Sequence, residues 1–361
     1  MGSMITPQPG IMEIALYQGG KSEIAGRSDV LKLSSNENPL GPPPSAIAAI
    51  TAAATETHRY PSTDHAGLRA AISDVYGLEA DRVICGVGSD EVLQFICQAF
   101  TGPGDEIIHT EHGFSMYPIL AHMAGATPVQ VAEVDRQVSV DNILAAVTER
   151  TRVVMLTNPG NPTGTIIPES EIERLADGLP KGVILVLDCA YIEYAAGHDG
   201  GEALARSREN VIMTRTFSKL YGLGGLRIGF GYGPKALIDV MTRIRQPYNL
   251  SVVQLVAAEA AALDLEWAKT SVEMNASERA RLTCGLRQQG IACDDSHTNF
   301  VLARFADEGE AAAMETAFQA AGILVRKVGG YGFPEGLRIT VGRPEDNDRV
   351  LDAVAKFKDA S

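Results

Sequence analysis

Short, uninterrupted apolar runs punctuate the first two thirds of the chain. Val83-Ile84-Cys85-Gly86-Val87, Glu106-Ile107-Ile108-His109, Val153-Val154-Met155-Leu156, Val183-Ile184-Leu185-Val186-Leu187 and Val211-Ile212-Met213 each have the length of a strand, and residues 127–131 add one more. Stretches with helical character lie between them: 67–76, a run that opens at Gly88-Ser89-Asp90-Glu91 and reaches Phe100, and one from about Met116. Strands that are apolar on both sides and alternate with helices predict an α/β fold, with a mostly parallel sheet covered on both faces.

The ends of the chain read differently. Residues 1–45 are rich in proline and glycine, with an extended piece from Leu31 to Pro39. Ser45 is the expected N-cap of an alanine-rich helix that runs to about Thr55. This arm has no core of its own, so it must lie on the body of the protein or on a second subunit. Beyond Gln246-Pro247-Tyr248-Asn249 one long helical stretch, Val252 to about Gln289, precedes strands at 299–303, 323–326 and 337–341 and a last helix after Pro344. The expected division is a large domain over 46–250 and a smaller α+β domain made of 251–361 with the arm 1–45.

Composition narrows the function. With 361 residues, 45% of them hydrophobic, the chain can fill one large core and a smaller one. A formal net charge of −14 argues against nucleic acid or a membrane surface as the main partner. An anionic ligand must therefore be gripped by a few placed cations. The five cysteines are odd in number, form no CxxC pair and lie largely in apolar runs, as small core residues of a reducing compartment do. No apolar run approaches the ~18 residues of a membrane span. No basic segment leads into an apolar one at the start. A soluble, cytoplasmic protein is expected.

In doubly covered parallel sheets, ligands bind at the carboxyl ends of the strands. The residues there are Gly88-Ser89-Asp90, Phe114, Asn158 to Gly164, Asp188 with Tyr191, and Thr216 to Lys219. Gly88-Ser89-Asp90 opens a helix, which suits either a plain N-cap or a phosphate on free N–H groups. It is no dinucleotide fingerprint, because Glu91 stands where the third glycine would be. Asp188 ends a strand of aliphatics and needs a partner, whether a helix end or a cationic ring nitrogen. Lys219 sits among small and apolar residues. Its amine either snorkels to water or is desolvated and nucleophilic. Arg227 and Arg338 lie in apolar strands, and each needs an anion, either in a structural ion pair or on a ligand.

Taken together, Asn161-Pro162-Thr163-Gly164, Asp188-Cys189-Ala190-Tyr191, Ser218-Lys219 with Arg227, and Leu337-Arg338-Ile339 resemble the fold type I pyridoxal-phosphate aminotransferases. The order and spacing agree from about Ile14 onward. Ser34-Ser35-Asn36-Glu37-Asn38-Pro39, Tyr60-Pro61, Gly88-Ser89-Asp90-Glu91 and Phe114-Ser115-Met116-Tyr117 are similar to the histidinol-phosphate branch of that family.

The resemblance implies a large domain with a sheet of the seven-stranded type and pyridoxal 5'-phosphate as cofactor. It implies that Lys219 carries the cofactor and moves the proton, and that Asp188 pairs with the ring nitrogen. Tyr191 and Asn161 would bond the ring oxygen, and Phe114 would stack on the ring. Ser89, Asp90 through its backbone, Thr216, Ser218 and Arg227 would surround the phosphate, with Tyr60 reaching in from the second subunit of a homodimer. Arg338 would grip the substrate anion, with Tyr17 and Arg326 in the same pocket. The implied reaction moves an amino group from histidinol phosphate to 2-oxoglutarate in histidine biosynthesis. Aromatic amino-acid aminotransferases, threonine-phosphate decarboxylases and non-catalytic cofactor-binding proteins share this frame.

Overall fold

A computed structural model describes residues 6–14, 16 and 19–360. In chain order the first elements are β1 (Leu31–Lys32), α1 (Pro44–Ala53), α2 (Ala66–Tyr76), β2 (Val83–Gly86), α3 (Gly88–Phe100), β3 (Glu106–Thr110), α4 (Met116–Met123) and β4 (Thr127–Val131). Then come α5 (Val140–Ala146), β5 (Thr151–Thr157), α6 (Glu169–Gly178), β6 (Ile184–Asp188), α7 (Glu202–Ser207), β7 (Val211–Thr216), β8 (Gly229–Tyr232) and α8 (Lys235–Ile244). The chain closes with α9 (Val252–Leu263), α10 (Leu265–Gln288), β9 (Ala292–Cys293), β10 (Phe300–Arg304), α11 (Glu308–Ala320), β11 (Ile323–Leu324), β12 (Arg326–Val328), β13 (Phe333–Thr340) and α12 (Pro344–Ala360).

Seven strands form the main sheet in the order β2-β8-β7-β6-β5-β3-β4. Every pairing is parallel except those of β8, which runs against both β2 and β7. The apolar runs are explained by burial on both faces. Leu185 and Leu187 of β6 join one core cluster, and Ile184 and Val186 join the other. Val154 and Leu156 alternate in the same way with Val153 and Met155 on β5. Strand-end register sets Thr157 beside Asp188, and Asp188 beside Thr214.

A second sheet, β12-β13-β10-β9, is antiparallel and carries its own core with α10, α11 and α12. In the N-terminal arm β1 runs parallel to β11 in a separate two-stranded sheet, the Leu33 carbonyl accepts from the Thr340 N–H of β13, and the Leu33 side chain enters the same core.

Two local expectations are corrected. The helical stretch from Val252 is two helices broken at Asp264, whose carboxylate accepts the Trp267 N–H and caps the second. Ser45 caps nothing. The helix starts one residue earlier, behind Pro43, and the Ser45 hydroxyl donates to Asp264 at 2.6 Å. Proline at a helix start sacrifices no bond, because the first N–H groups have no intrahelical partner. Helix α9 follows residue 250, yet its alanines pack into the large core beside α1 and α2. No helix among the described residues is long and apolar enough to cross a membrane.

Gly229 pairs with Gly86 and Thr216, and a Cβ there would lie 2.2 Å from the Ser89 backbone nitrogen. Gly229→Ala should destabilise the protein by about 1–3 kcal/mol, read as a lower urea midpoint. An unchanged midpoint would show that the strand and helix need not approach so closely.

Candidate active site

The carboxyl ends of β5, β6 and β7 open onto a cavity of about 480 Å³ between the two sheets. Asp188 forms its floor. Tyr117, on the first turn of α4, donates to Asp188 Oδ2 at 2.8 Å, and Thr214 donates to Oδ1 at 3.4 Å. The Tyr117 proton is used on Asp188, so the 2.5 Å contact with Thr157 must be donated by the threonine. Burial raises the Asp188 pKa to about 6, against the pull of the Tyr117 bond. The acid is thus mostly ionised at neutral pH. Among the described residues no lysine or arginine pairs with it; its side-chain donors are neutral hydroxyls.

Lys219 lies on the loop after β7. That loop is tied off by Phe217 N–H to Ile228 O and Leu223 N–H to Phe217 O. It turns at Gly222, φ +62°, where a side chain would collide with the Gly41 carbonyl. Lys219 Nζ donates to Ser35 O at 3.3 Å and lies 5.7 Å from the Tyr191 ring centre. Burial first, helped by the nearby Arg338 and Arg227 guanidinium groups and opposed by Asp90, lowers its pKa to about 8. The desolvated reading of this lysine is therefore the one its surroundings favour.

An anion cup closes one end. Gly88 starts α3 with φ +77°, and a Cβ there would meet Arg227 Nη2 at 2.5 Å. Ser89, Asp90, Thr216, Ser218 and Arg227 line the cavity at this end. Arg227 itself has φ +55°. Its Nη1 donates to Ser218 Oγ at 2.9 Å and its Nη2 to Asp90 Oδ2 at 2.7 Å. A half-exposed pair of this kind contributes little stability; it fixes where the guanidinium points.

The opposite wall comes from the small sheet and the arm. Arg338, on β13, donates to Asn161 Oδ1 at 2.6 Å and to Ser34 O at 3.1 Å, and its guanidinium lies 5.2 Å from the Phe300 ring centre. Asn36 Nδ2 donates to the Tyr191 hydroxyl at 3.0 Å, which leaves the tyrosine's own proton free to point into the cavity. Phe114 lines another side and meets Tyr117 edge-on at 5.9 Å.

The cavity thus gathers Lys219, Asp188, Tyr191, Asn161, Phe114, Ser89, Asp90, Thr216, Ser218, Arg227, Arg326 and Arg338. Tyr60 is not among its lining residues. It is 81% exposed and stacks on Tyr248 with ring centres 4.5 Å apart. Tyr17 lies outside the described residues. Asn158 turns out to brace the loop, exchanging two hydrogen bonds with the Ile167 backbone.

Sequence reasoning had assigned no role to Asn36, Tyr117, Thr214 or Tyr331. Tyr117 had a usable signal, because it stands three residues after Phe114 on the helix that follows a strand end. Asn36 had none: its role comes from φ +56° and from Thr340 and Asn299, which hold its backbone.

Pyridoxal phosphate makes four demands: a carboxylate for a protonated ring nitrogen, an anion cup, a flat wall and an amine. Asp188 is buried with no cation beside it among the described residues, which leaves the place that a protonated ring nitrogen would fill. The cup, Phe114 and Lys219 meet the other three, so the residues fit the group.

Comparison with known proteins points the same way. The sequence profile of the family described as aminotransferase class I and II matches residues 28–354. A histidinol-phosphate aminotransferase of Ruegeria pomeroyi is 63% identical over 358 residues, covering 99% of each chain. Another, from Jannaschia sp., is 60% identical over 97% of this chain and 98% of its own. The crystal structure of histidinol-phosphate aminotransferase from Sinorhizobium meliloti, in complex with pyridoxal-5'-phosphate, superposes with a TM-score of 0.91 at 28% identity, covering 100% of this chain and 99% of that one.

With a pKa near 8, the Lys219 amine is protonated at low pH and becomes a nucleophile as pH rises. In the cofactor-free protein its labelling by acetic anhydride, read by mass spectrometry, should rise with pH and level off above about 8. A midpoint near the ordinary lysine value of ~10.4 would mean that the amine is fully solvated.

Proposed function

The chain belongs to the class I and II aminotransferases, and on that premise we propose that it transfers the amino group of L-histidinol phosphate to 2-oxoglutarate. The products are imidazole acetol phosphate and glutamate, which makes this a step of histidine biosynthesis. One observation carries the reading: a partly buried amine and a buried acid with no cationic partner among the described residues share a cavity that also holds three arginines. The names of full-length relatives at 60% identity and above support the choice of substrate.

Pyridoxal phosphate, when bound, supplies an electron-withdrawing ring that stabilises negative charge at the donor's α-carbon. Asp188 holds the ring nitrogen in its protonated form, and Tyr117 and Thr214 hold Asp188. Tyr191 turns its proton inward because Asn36 occupies its oxygen from outside. Ser89, Ser218, Thr216, the Asp90 backbone and Arg227 receive the phosphate of the cofactor. Lys219 Nζ removes the α-proton as a free amine and returns it as an ammonium, and a pKa near pH 8 suits both directions. Arg338 takes the donor's phosphate in one half-reaction and the acceptor's carboxylate in the other, because a planar guanidinium fits either oxyanion.

The same reading includes a homodimer. Tyr60 and Tyr248 form an exposed stacked pair away from their own chain's cavity, an apolar surface for a second subunit to cover. Tyr60 then completes the neighbour's site, and the enzyme works in the cytoplasm.

Lys219→Ala should keep its circular dichroism and lose turnover by roughly 10²–10⁴-fold or more; retained turnover would sink the assignment. With cofactor loaded and keto acid omitted, histidinol phosphate should bleach the bound cofactor's absorbance much faster than phenylalanine does. The reverse order would make the chain an aromatic aminotransferase.

Shared sites predict complementation. Lys219→Ala and Tyr60→Ala chains, each inactive or weak alone, should regain activity when mixed and reassociated, because one site per mixed dimer is intact. No recovery in a mixture shown to contain mixed dimers would place Tyr60 outside the site.

A further inference from the structure

Beside the catalytic cavity lies a larger one, of about 760 Å³. Gly20, Arg326 and Tyr331 line both, so Tyr331 stands in the wall between them. Its position is built with some care. The Tyr331 ring packs with Leu302, Val328 and Phe333 in a small cluster of the second sheet. Two bonds then tie it to the loop between β3 and α4, the loop that carries Phe114. His112 Nδ1 donates to the Tyr331 carbonyl at 2.6 Å, and the Tyr331 hydroxyl lies 3.1 Å from Ser115 Oγ. The His112 ring is 4.2 Å from that of Phe333.

The histidine comes this close because residue 332 is a glycine. Gly332 has φ +87°, and a Cβ there would meet His112 Cε1 at 3.0 Å. A loop with no task at the cavity would need neither the left-handed glycine nor two bonds to the opposite sheet.

We propose that Tyr331 is a specificity-determining residue, a partition that limits how far the amino donor's side chain extends from the reacting carbon, and that His112 and Ser115 are the residues that position it. The proposal rests on the aminotransferase reading above. The cavity of about 480 Å³ must hold the cofactor together with the donor, which leaves room for a side chain of one five-membered ring and a phosphate but not for a long one. A longer, rigid aromatic donor would have to enter the second cavity, and the tyrosine ring stands in its way. Tethering the partition to the Phe114 loop keeps the two walls at a constant separation.

The test uses the cofactor-loaded enzyme and three donors: histidinol phosphate, phenylalanine and 4-phenylphenylalanine. Rates and binding are read from the bound cofactor's absorbance at increasing donor concentration. In Tyr331→Ala the ratio of 4-phenylphenylalanine to phenylalanine efficiency should rise about tenfold, while KM for histidinol phosphate increases and the absorbance of the loaded enzyme is unchanged. Tyr331→Phe and His112→Leu keep the ring at position 331 but lose one tether, and should shift the same ratio in the same direction by less.

A proportional loss for all three donors, or an unchanged ratio, would overturn the proposal. Should Tyr331→Ala fail to fold, the ratio in the two milder variants decides. Failure of the histidinol-phosphate reading would look different: the wild-type enzyme would leave that donor untouched, and the ratio of the other two would still report the partition.

Discussion

An amine and an acid are held out of bulk water in one cavity, and the rest of the structure answers to that fact. Depressing Lys219 from 10.5 to about 8 corresponds to roughly 3 kcal/mol against its charged form. Asp188 carries a penalty of the same kind. Groups placed so unfavourably stay there only if the surrounding chain leaves them no exit. Lys219 is held by a loop closed on both sides by backbone bonds, and Asp188 by a strand with neighbours on either side. The cost also creates the chemistry, since a desolvated amine is a base near neutral pH and a desolvated acid welcomes a cation.

The main sheet makes this arrangement inexpensive to build. Parallel strands end at one level, so three of them deliver Thr157, Asp188 and Thr214 side by side without any unusual backbone. Irregular backbone also occurs at the end of the cavity lined by Ser89, Ser218 and Arg227. There Gly88, Arg227 and Gly222 all take positive φ, and Gly229 lets the helix start press against a strand. Arg227 is the one arginine in that set, and its strained backbone is compensated by bonds to Ser218 and Asp90.

One wall of the site belongs to the other sheet and the arm. Arg338, Arg326 and Tyr331 come from β12, β13 and the turn between them, and Asn36 comes from the arm. Their bonds to Asn161, Tyr191, His112 and Ser115 cross between the two sheets at the cavity itself. Movement of the small sheet would therefore be felt first at the substrate, a sound arrangement for an enzyme that must accept a phosphate and a carboxylate in turn.

The α/β class, the strand positions and the strand ends that face the cavity were legible in the sequence, because strands buried on both sides leave continuous apolar runs. Lys219, Asp188 and Arg338 stood out for a related reason: a charged residue inside an apolar run must have a partner. Helix boundaries were less legible. The break at Asp264 falls inside a run of good helix formers and is marked only by its own cap, the Trp267 N–H on its carboxylate. Local pattern also could not place Asn36 on Tyr191, Tyr117 on Asp188 or Tyr331 between two cavities, since those contacts join segments whose spacing only the packed sheets fix. The sequence by itself determined which groups would be costly to bury. The tertiary structure decided which of them face one another, because hydrogen bonds and pKa values are set by distances of a few ångströms that no local periodicity encodes.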